Sequence, residues 1–126
     1  MRVLLDTHVF LWWLADDPGL RPAAREAIAD PDTLVHVSAV TVWEIAIKAA
    51  LGRIDVVGAD LAGEIAANGF VELPITARHA VRAGGLPRHH DDPFDRMLCA
   101  QAGLEGLTLV TRDRVFEAYG TAILRG

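Results

Sequence analysis

Short runs of apolar residues alternate along this chain with longer segments in which apolar residues recur every three or four positions. The short runs predict buried strands, and the longer periodic segments predict helices with one apolar face. The predicted strands span residues 3–5, 34–38, 70–74, 107–110 and 121–124. The predicted helices span residues 9–15, 21–29, 39–51, 58–68, 76–83, 92–102 and 114–119. Gly103 is expected to end the sixth of these helices.

The alternation of strands and helices indicates the α/β class. Such alternation builds a parallel sheet whose right-handed crossover connections place helices on both faces. The first strand, residues 3–5, is apolar at every position, which is typical of a strand in the middle of such a sheet. We therefore expect a three-layer α/β/α domain with a central parallel sheet of four to five strands. At 126 residues, the chain is expected to form one domain over residues 1–126.

Composition and charge narrow the functional classes. Apolar residues make up 52% of the chain, which excludes disorder. The formal net charge of −5 argues against a broad basic face for nucleic acid, but not against acids gathered at a metal site. Cys99 is the only cysteine, and no apolar run approaches the length of a membrane span. These features, with no signal peptide recognised, lead us to expect a cytoplasmic protein.

Four carboxylates stand out by their positions relative to the predicted elements. Asp6 follows the first strand, Asp113 follows the fourth, and Glu44 and Asp95 lie in helices. If the first and fourth strands are neighbours where the strand order reverses, Asp6 and Asp113 meet in one crevice. Simpler roles stay open: Asp6 and Asp95 suit a helix start, and Glu44 can form an i,i+4 pair with Lys48.

Several carboxylates in one cleft repel one another unless a cation lies between them. Oxygen ligands select a hard cation, so Mg²⁺ or Mn²⁺ is the expected cofactor. The hydroxyls of Thr7, Ser38 and Thr111 could orient waters bound to that ion. A metal in such a site can activate a water and stabilise charge on phosphorus.

Four sequence motifs in this order resemble the PIN domain, and most closely the VapC toxins of bacterial toxin–antitoxin pairs. They are LLDTH from Leu4, SAVTVWEI from Ser38, HDDPFDRML from His90 and VTRD from Val110. By this resemblance the family's acidic quartet falls on Asp6, Glu44, Asp95 and Asp113. The resemblance implies a Mg²⁺- or Mn²⁺-dependent endoribonuclease, a small VapB-like antitoxin that inhibits it, and a homodimer.

Basic and aromatic residues near these motifs are candidates for contacts with RNA or a partner. Arg88, Arg96 and Arg112 could hold the RNA backbone, or could pair with the acids when no metal is bound. The tryptophans are expected in the core or facing a partner, and Trp12 and Trp13 could receive an antitoxin segment.

Asp92 and Asp91 lie beside the third motif but outside the quartet. Asp92 is expected to cap the helix, and Asp91 to lie in a solvated polar loop that spans residues 88–92. The role of His8, which is next to the first motif, stays open.

Two other classes of function remain as alternatives. A phosphatase-like hydrolase would use an Asp after the first strand, but a haloacid dehalogenase type needs a second acid where this chain has His8. A receiver-type domain would need paired acids before Asp6, which are absent. A non-catalytic, doubly wound binding module predicts no gain of stability with Mg²⁺. The chain has no glycine-rich phosphate loop of the nucleotide-binding type.

Overall fold

A computed structural model describes residues 1–56 and 58–126. Its strands are β1 Arg2–Leu5, β2 Leu34–Ser38, β3 Val71–Leu73, β4 Thr108–Thr111 and β5 Ile123–Arg125. Its α-helices are α1 Thr7–Leu14, α2 Pro22–Ala29, α3 Ala39–Ala50, α4 Leu61–Ala67, α5 Ala77–Gly85 and α6 Pro93–Glu105. A 3₁₀ helix spans Arg114–Tyr119 between β4 and β5. Within the described residues, no helix combines the length and apolar content that crossing a membrane requires.

The five strands form one parallel sheet in the order β3-β2-β1-β4-β5. Strand β1 is central: Val3 pairs in register with Val35 of β2, and Leu4 pairs with Leu109 of β4. The chain winds outward from β1 in both directions, so the order reverses between β1 and β4. The carboxyl ends of these two strands therefore border the crevice where open α/β sheets bind ligands.

Two apolar cores lie on opposite faces of the sheet. Alternate residues of β1 point to opposite sides, so Val3 and Leu5 join one core while Leu4 joins the other. Helices α1, α2 and α4 cover the first core, and α6 with the 3₁₀ helix covers the second. Helix α3 contributes Ile45 to the first core and Val40 to the second. The predicted three-layer arrangement is confirmed, and the parallel sheet has five strands, within the predicted range of four to five.

The predicted end of α6 is wrong. The helix continues through Gly103 to Glu105 and ends at Gly106, whose N–H donates to the carbonyl of Ala102. Gly106 has a φ of 66°, a left-handed conformation that glycine adopts without steric cost. Gly103 has no such angle and is simply a helical residue. The choice between two nearby glycines depends on where the chain must turn toward β4.

Candidate active site

Asp6 lies at the carboxyl end of β1 and is buried, with 7% of its surface exposed. Its Oδ1 accepts a 2.8 Å hydrogen bond from the N–H of Val9, so the residue caps α1 as the simpler interpretation predicted. Its Oδ2 accepts a 2.5 Å hydrogen bond from the hydroxyl of Thr111 at the end of β4. Burial raises the pKa of this carboxyl, and nearby Asp113 raises it further, while the two hydrogen bonds lower it. Capping and a place in the crevice are therefore compatible roles.

Glu44 projects from α3 into the protein and keeps only 4% of its surface exposed. The hydroxyl of Thr7 donates to Oε1 over 2.6 Å, and Lys48 Nζ lies 2.7 Å from Oε2. The predicted i,i+4 pair with Lys48 is confirmed. Because Thr7 begins α1 directly after Asp6, its hydroxyl also fixes Glu44 relative to the end of β1. Both carboxylate oxygens of this buried acid thus have partners.

Asp95 lies in the first turn of α6, and 24% of its side chain is exposed. It does not cap the helix. Asp92 does so, because its Oδ1 accepts the N–H groups of both Phe94 and Asp95, which confirms the role predicted for it. The side chain of Asp95 instead accepts a 2.7 Å hydrogen bond from Nε2 of His90. Burial raises the pKa of Asp95 to about 6, helped by the negative charges of Asp92 and Glu44 and opposed by His90.

Asp113 follows β4 and is exposed. Its Oδ1 accepts the N–H of Val115 over 3.0 Å, and its own N–H donates to the hydroxyl of Thr111. One side-chain nitrogen of His90 and one carboxylate oxygen each of Asp95 and Asp113 all lie within 4.8 Å of one another. Asp113 is therefore near Asp95. It is also close enough to Asp6 for its negative charge to raise the pKa of that carboxyl.

The four predicted acids thus form one cluster at the carboxyl edge of the sheet. Asp6 and Asp113 are linked through the Thr111 hydroxyl, and Asp113 is close to Asp95. Glu44 acts electrostatically on Asp95. The acids come from the end of β1, from α3, from α6 and from the end of β4, so only the folded chain brings them together.

Two of the three predicted hydroxyls bond to these acids. Thr7 donates to Glu44 and Thr111 donates to Asp6. Ser38 is fully buried, and its oxygen accepts the N–H of Val40 to cap α3. Ser38 therefore sets the start of the helix that carries Glu44.

Two of the three predicted arginines donate hydrogen bonds to backbone carbonyls. Arg96 donates to the carbonyl of Gly84 near the end of α5 and to three carbonyls in the connection between α5 and α6: Leu86, Pro87 and His90. Arg112 donates to the carbonyls of Gly19 and Gly126, and its guanidinium lies 4.2 Å from the ring centroid of Trp12.

Arg88 is different, because 87% of its side chain is exposed, and its nearest acid is Asp91, at 3.8 Å. In the part of the chain that the structure describes, none of the three arginines forms an ion pair with the four clustered acids.

His90 is a site residue that the sequence did not reveal. The polar run of residues 88–92 predicted only a solvated loop, and although His90 begins the third motif, the run contains no pattern that distinguishes it from the adjacent His89. In the structure its ring turns toward Asp95, which raises the pKa of the imidazole through the hydrogen bond. The hydrogen bond from Arg96 to the carbonyl of His90, which ties this part of the loop to α6, could not be read from the sequence.

The donor set suits a divalent cation. Four carboxylates share one end of the sheet, and burial together with neighbouring negative charge raises the pKa of both Asp6 and Asp95. A cation between the carboxylates would offset the unfavourable energy of ionising them so close together. Carboxylate oxygens are ligands that Mg²⁺ and Mn²⁺ prefer. A depression of about 260 Å³ opens beside the acids and is lined by Asp6, His8, Trp12, Arg112 and Asp113. Asp6 and Asp113 can thus be reached from outside the protein through this depression.

Comparisons with known proteins agree with this arrangement. The family model described as "PIN domain" matches residues 3–121. Ribonuclease VapC22 of Mycobacterium tuberculosis is 38% identical over 119 residues, which cover 93% of this chain and 91% of that protein.

Two solved structures share the fold. The DNA-bound VapBC complex from Salmonella typhimurium has a TM-score of 0.67 at 22% identity, covering 99% of this chain and 98% of that one. VapBC-5 from Mycobacterium tuberculosis, of the VapBC family of toxin–antitoxin systems, has a TM-score of 0.62 at 24% identity, with 99% and 98% covered. The chain belongs to the PIN-domain family, and within it to the VapC group that its sequence motifs indicate.

Proposed function

We propose that this chain is the endoribonuclease toxin of a toxin–antitoxin pair and that it hydrolyses RNA phosphodiester bonds at the acidic cluster. The observation that carries the proposal is the convergence of Asp6, Glu44, Asp95 and Asp113 at the reversal point of the sheet. The relationship to a protein named as a ribonuclease supports the same activity. RNA as the substrate also makes the cytoplasm the proposed compartment.

Asp6, Asp95 and Asp113 would hold the divalent cation, Mg²⁺ or Mn²⁺, and Glu44 would add negative charge beside it. When bound, the cation would supply an activated water and neutralise charge that develops on the phosphate. The chain's own part is to orient these acids. Thr111 holds Asp6 through a hydrogen bond, and Lys48 holds Glu44 through a contact of 2.7 Å between its Nζ and Oε2.

RNA would enter over the exposed side of this cluster. Arg88 has an exposed guanidinium, 3.8 Å from Asp91, that suits contact with a phosphate, and we assign it the leading role among the three arginines. Arg96 and Arg112 would support the site by fixing backbone segments, because carbonyl oxygens already occupy their donors. The depression beside Asp6, with the rings of His8 and Trp12 on its wall, gives the substrate room next to the acids.

A small VapB-like antitoxin is the proposed partner, and a homodimer is the proposed assembly. Trp12 and Trp13 are half-buried, and Trp13 Nε1 donates to Asn68 over 3.0 Å, so they offer little surface to a peptide. Trp43 is a better contact, because 59% of its surface is exposed on α3. If a small protein is encoded beside this chain, coexpression with it should raise the yield, and the two should copurify. Normal growth of cells that make the active chain alone would count against a toxin role.

A cleavage assay tests the activity directly. Protein freed of antitoxin should cut RNA internally with Mg²⁺ or Mn²⁺, and excess EDTA should stop the reaction. Asp6→Asn, purified in the same way, is the control for contaminating nuclease and should be inactive. Cleavage that persists in EDTA or in Asp6→Asn would contradict the proposal. A non-catalytic binding module would show no cleavage and no stabilisation by metal, which separates that alternative.

A further inference from the structure

We propose that His90 is a ligand of the metal ion held by Asp95 and Asp113, so that the site has one nitrogen donor among its oxygens. The inference rests on a metal at the acidic cluster, as proposed above, but not on cleavage of RNA. His90 lies outside the acidic quartet, in a loop whose sequence indicates only exposure to solvent.

The spacing of the three side chains fits one ion. Nε2 of His90 lies 2.7 Å from Oδ2 of Asp95, and the ligand atoms of both, with one from Asp113, fall within 4.8 Å of one another. An ion with ligands at about 2.1 Å places adjacent donors about 3 Å apart and opposite donors about 4.2 Å apart. The His90–Asp95 separation is close to that of adjacent donors. A small movement of the exposed Asp113 side chain would close the set.

The backbone of His90 is held in place from two directions. Arg96 Nη1 donates to its carbonyl over 3.1 Å, and the hydroxyl of Tyr119 reaches the same oxygen at 3.5 Å. The same two side chains also bind the carbonyl of Pro87, over 3.1 and 2.8 Å. Because Arg96 directly follows Asp95, the imidazole and the carboxylate share one anchor. A ligand held in this way loses less conformational entropy when it binds an ion.

Ligation requires a lone pair on Nε2, so the ring must carry its single proton on Nδ1 when metal is bound. The proton that Nε2 carries in its hydrogen bond to Asp95 would have to leave that atom: an imidazolium ring would lose it to solvent, and a neutral ring would carry its proton on Nδ1 instead. The hydrogen bond between His90 and Asp95 brings the two side chains close enough for one ion to bind both.

A nitrogen donor changes which ion the site prefers. Mg²⁺ is a hard cation that prefers oxygen and keeps most of its waters, whereas imidazole binds first-row transition ions more readily. We therefore expect Mn²⁺ to bind more tightly than Mg²⁺, and we expect His90 to be the cause. Removing a group that supports a metal ligand typically lowers metal affinity about 10- to 100-fold. His90→Gln should weaken Mn²⁺ binding by about tenfold or more, and Mg²⁺ binding much less.

Pulsed electron paramagnetic resonance of Mn²⁺-loaded protein, without RNA, tests the bond itself. The parent chain should show modulation from a directly bound nitrogen, and labelling histidine with ¹⁵N should change that modulation. His90→Gln should abolish it. His8→Gln and His89→Gln, which remove the two exposed imidazoles, should retain it.

Several outcomes would overturn the inference: no nitrogen modulation in the parent, modulation that survives in His90→Gln, or equal loss of Mn²⁺ and Mg²⁺ affinity by calorimetry. If His90→Gln fails to fold, the labelled parent and the two control variants still decide. The remaining histidines, His36 and His79, are buried and have other polar partners. RNA cleavage is measured separately, so its failure and the failure of this inference are distinguishable.

Discussion

The hydroxyl of Thr111 donates a 2.5 Å hydrogen bond to Oδ2 of Asp6, joining the carboxyl ends of β4 and β1. The hydroxyl oxygen of Thr111 also accepts the N–H of Asp113 over 3.1 Å. One buried hydroxyl therefore positions one acid through its side chain and a second acid through its backbone. This contact exists only because β1 and β4 are neighbours where the strand order reverses.

Thr111→Val should lower both stability and metal affinity. The substitution keeps the shape of the side chain but leaves the buried Asp6 carboxylate without its hydroxyl donor. The free energy of unfolding should therefore fall by about 1–3 kcal/mol. Chemical unfolding in EDTA and calorimetric titration with Mn²⁺ would measure the two effects. Thr108→Val, the same change at the start of β4, is the control and should leave metal affinity unchanged. Parental metal affinity in Thr111→Val would show that this hydroxyl does not orient Asp6 for the ion.

The variant Asp95→Asn tests whether Asp95 binds a metal ion or only stabilises the start of α6. Asp95 lies among like charges and makes no capping bond, so its neutral variant should be as stable as the parent or more stable in EDTA. The variant should gain less stability from Mg²⁺, because a ligand stabilises the folded state according to its affinity. It should also lose most RNA cleavage.

The matched control is Asp92→Ala, three residues earlier. It removes the oxygen that accepts two helix N–H groups, so it should cost about 1 kcal/mol while cleavage continues. Melting curves with EDTA and with Mg²⁺ measure both variants. If Asp95→Asn melts below the parent in EDTA and still cleaves RNA, Asp95 is a structural residue only.

Without metal, the chain should lose stability as the pH rises from about 4 to about 6. Burial raises the pKa of Asp95 to about 6 from an ordinary value of 3.8, so the folded chain retains a proton that the unfolded chain has released. Stability is therefore greater below this window and is lost as the pH rises through it. The raised pKa of Asp6 acts in the same direction, and the raised pKa of His90 does so at higher pH, above its ordinary value of 6.5.

Melting temperatures in EDTA at a series of pH values would measure this dependence. Asp95→Asn should flatten it, because the variant has no proton to retain at that position. Asp91→Asn removes an exposed carboxylate from the neighbouring loop and should leave the slope unchanged. Identical slopes for the parent and Asp95→Asn would contradict the assignment of the raised pKa to Asp95.

The sequence predicted what depends on local pattern and strand order. Apolar runs identified the strands, and an acid directly after a strand, as at Asp6 and Asp113, is positioned by the sheet itself. What it missed depends on contacts between distant segments. The tether from Arg96 to the loop that carries His90, and the stacking of Arg112 on Trp12, follow from how side chains pack once the helices have docked. Sequence periodicity contains no information about such contacts.

Lys48→Met should destabilise the chain through Glu44. Lys48 is the only lysine, and methionine would preserve much of its apolar stem while removing the ammonium group 2.7 Å from Oε2 of Glu44. The lysine side chain is 31% exposed, so water would replace part of the lost interaction, and we expect a cost of about 1–3 kcal/mol in urea unfolding.

A double-mutant cycle with Glu44→Gln decides whether the pair is the cause. The neutral amide can still accept from Thr7 and needs no counter-charge, so the double variant should be less destabilised than the sum of the single variants. The two single variants should differ in RNA cleavage. Lys48→Met keeps the Glu44 carboxylate that the site uses and should still cleave, whereas Glu44→Gln removes that carboxylate and should lose activity. If the losses in free energy of unfolding of the two single variants add up to that of the double variant, the Lys48–Glu44 pair does not contribute to stability. Full cleavage by Glu44→Gln would remove Glu44 from the proposed site.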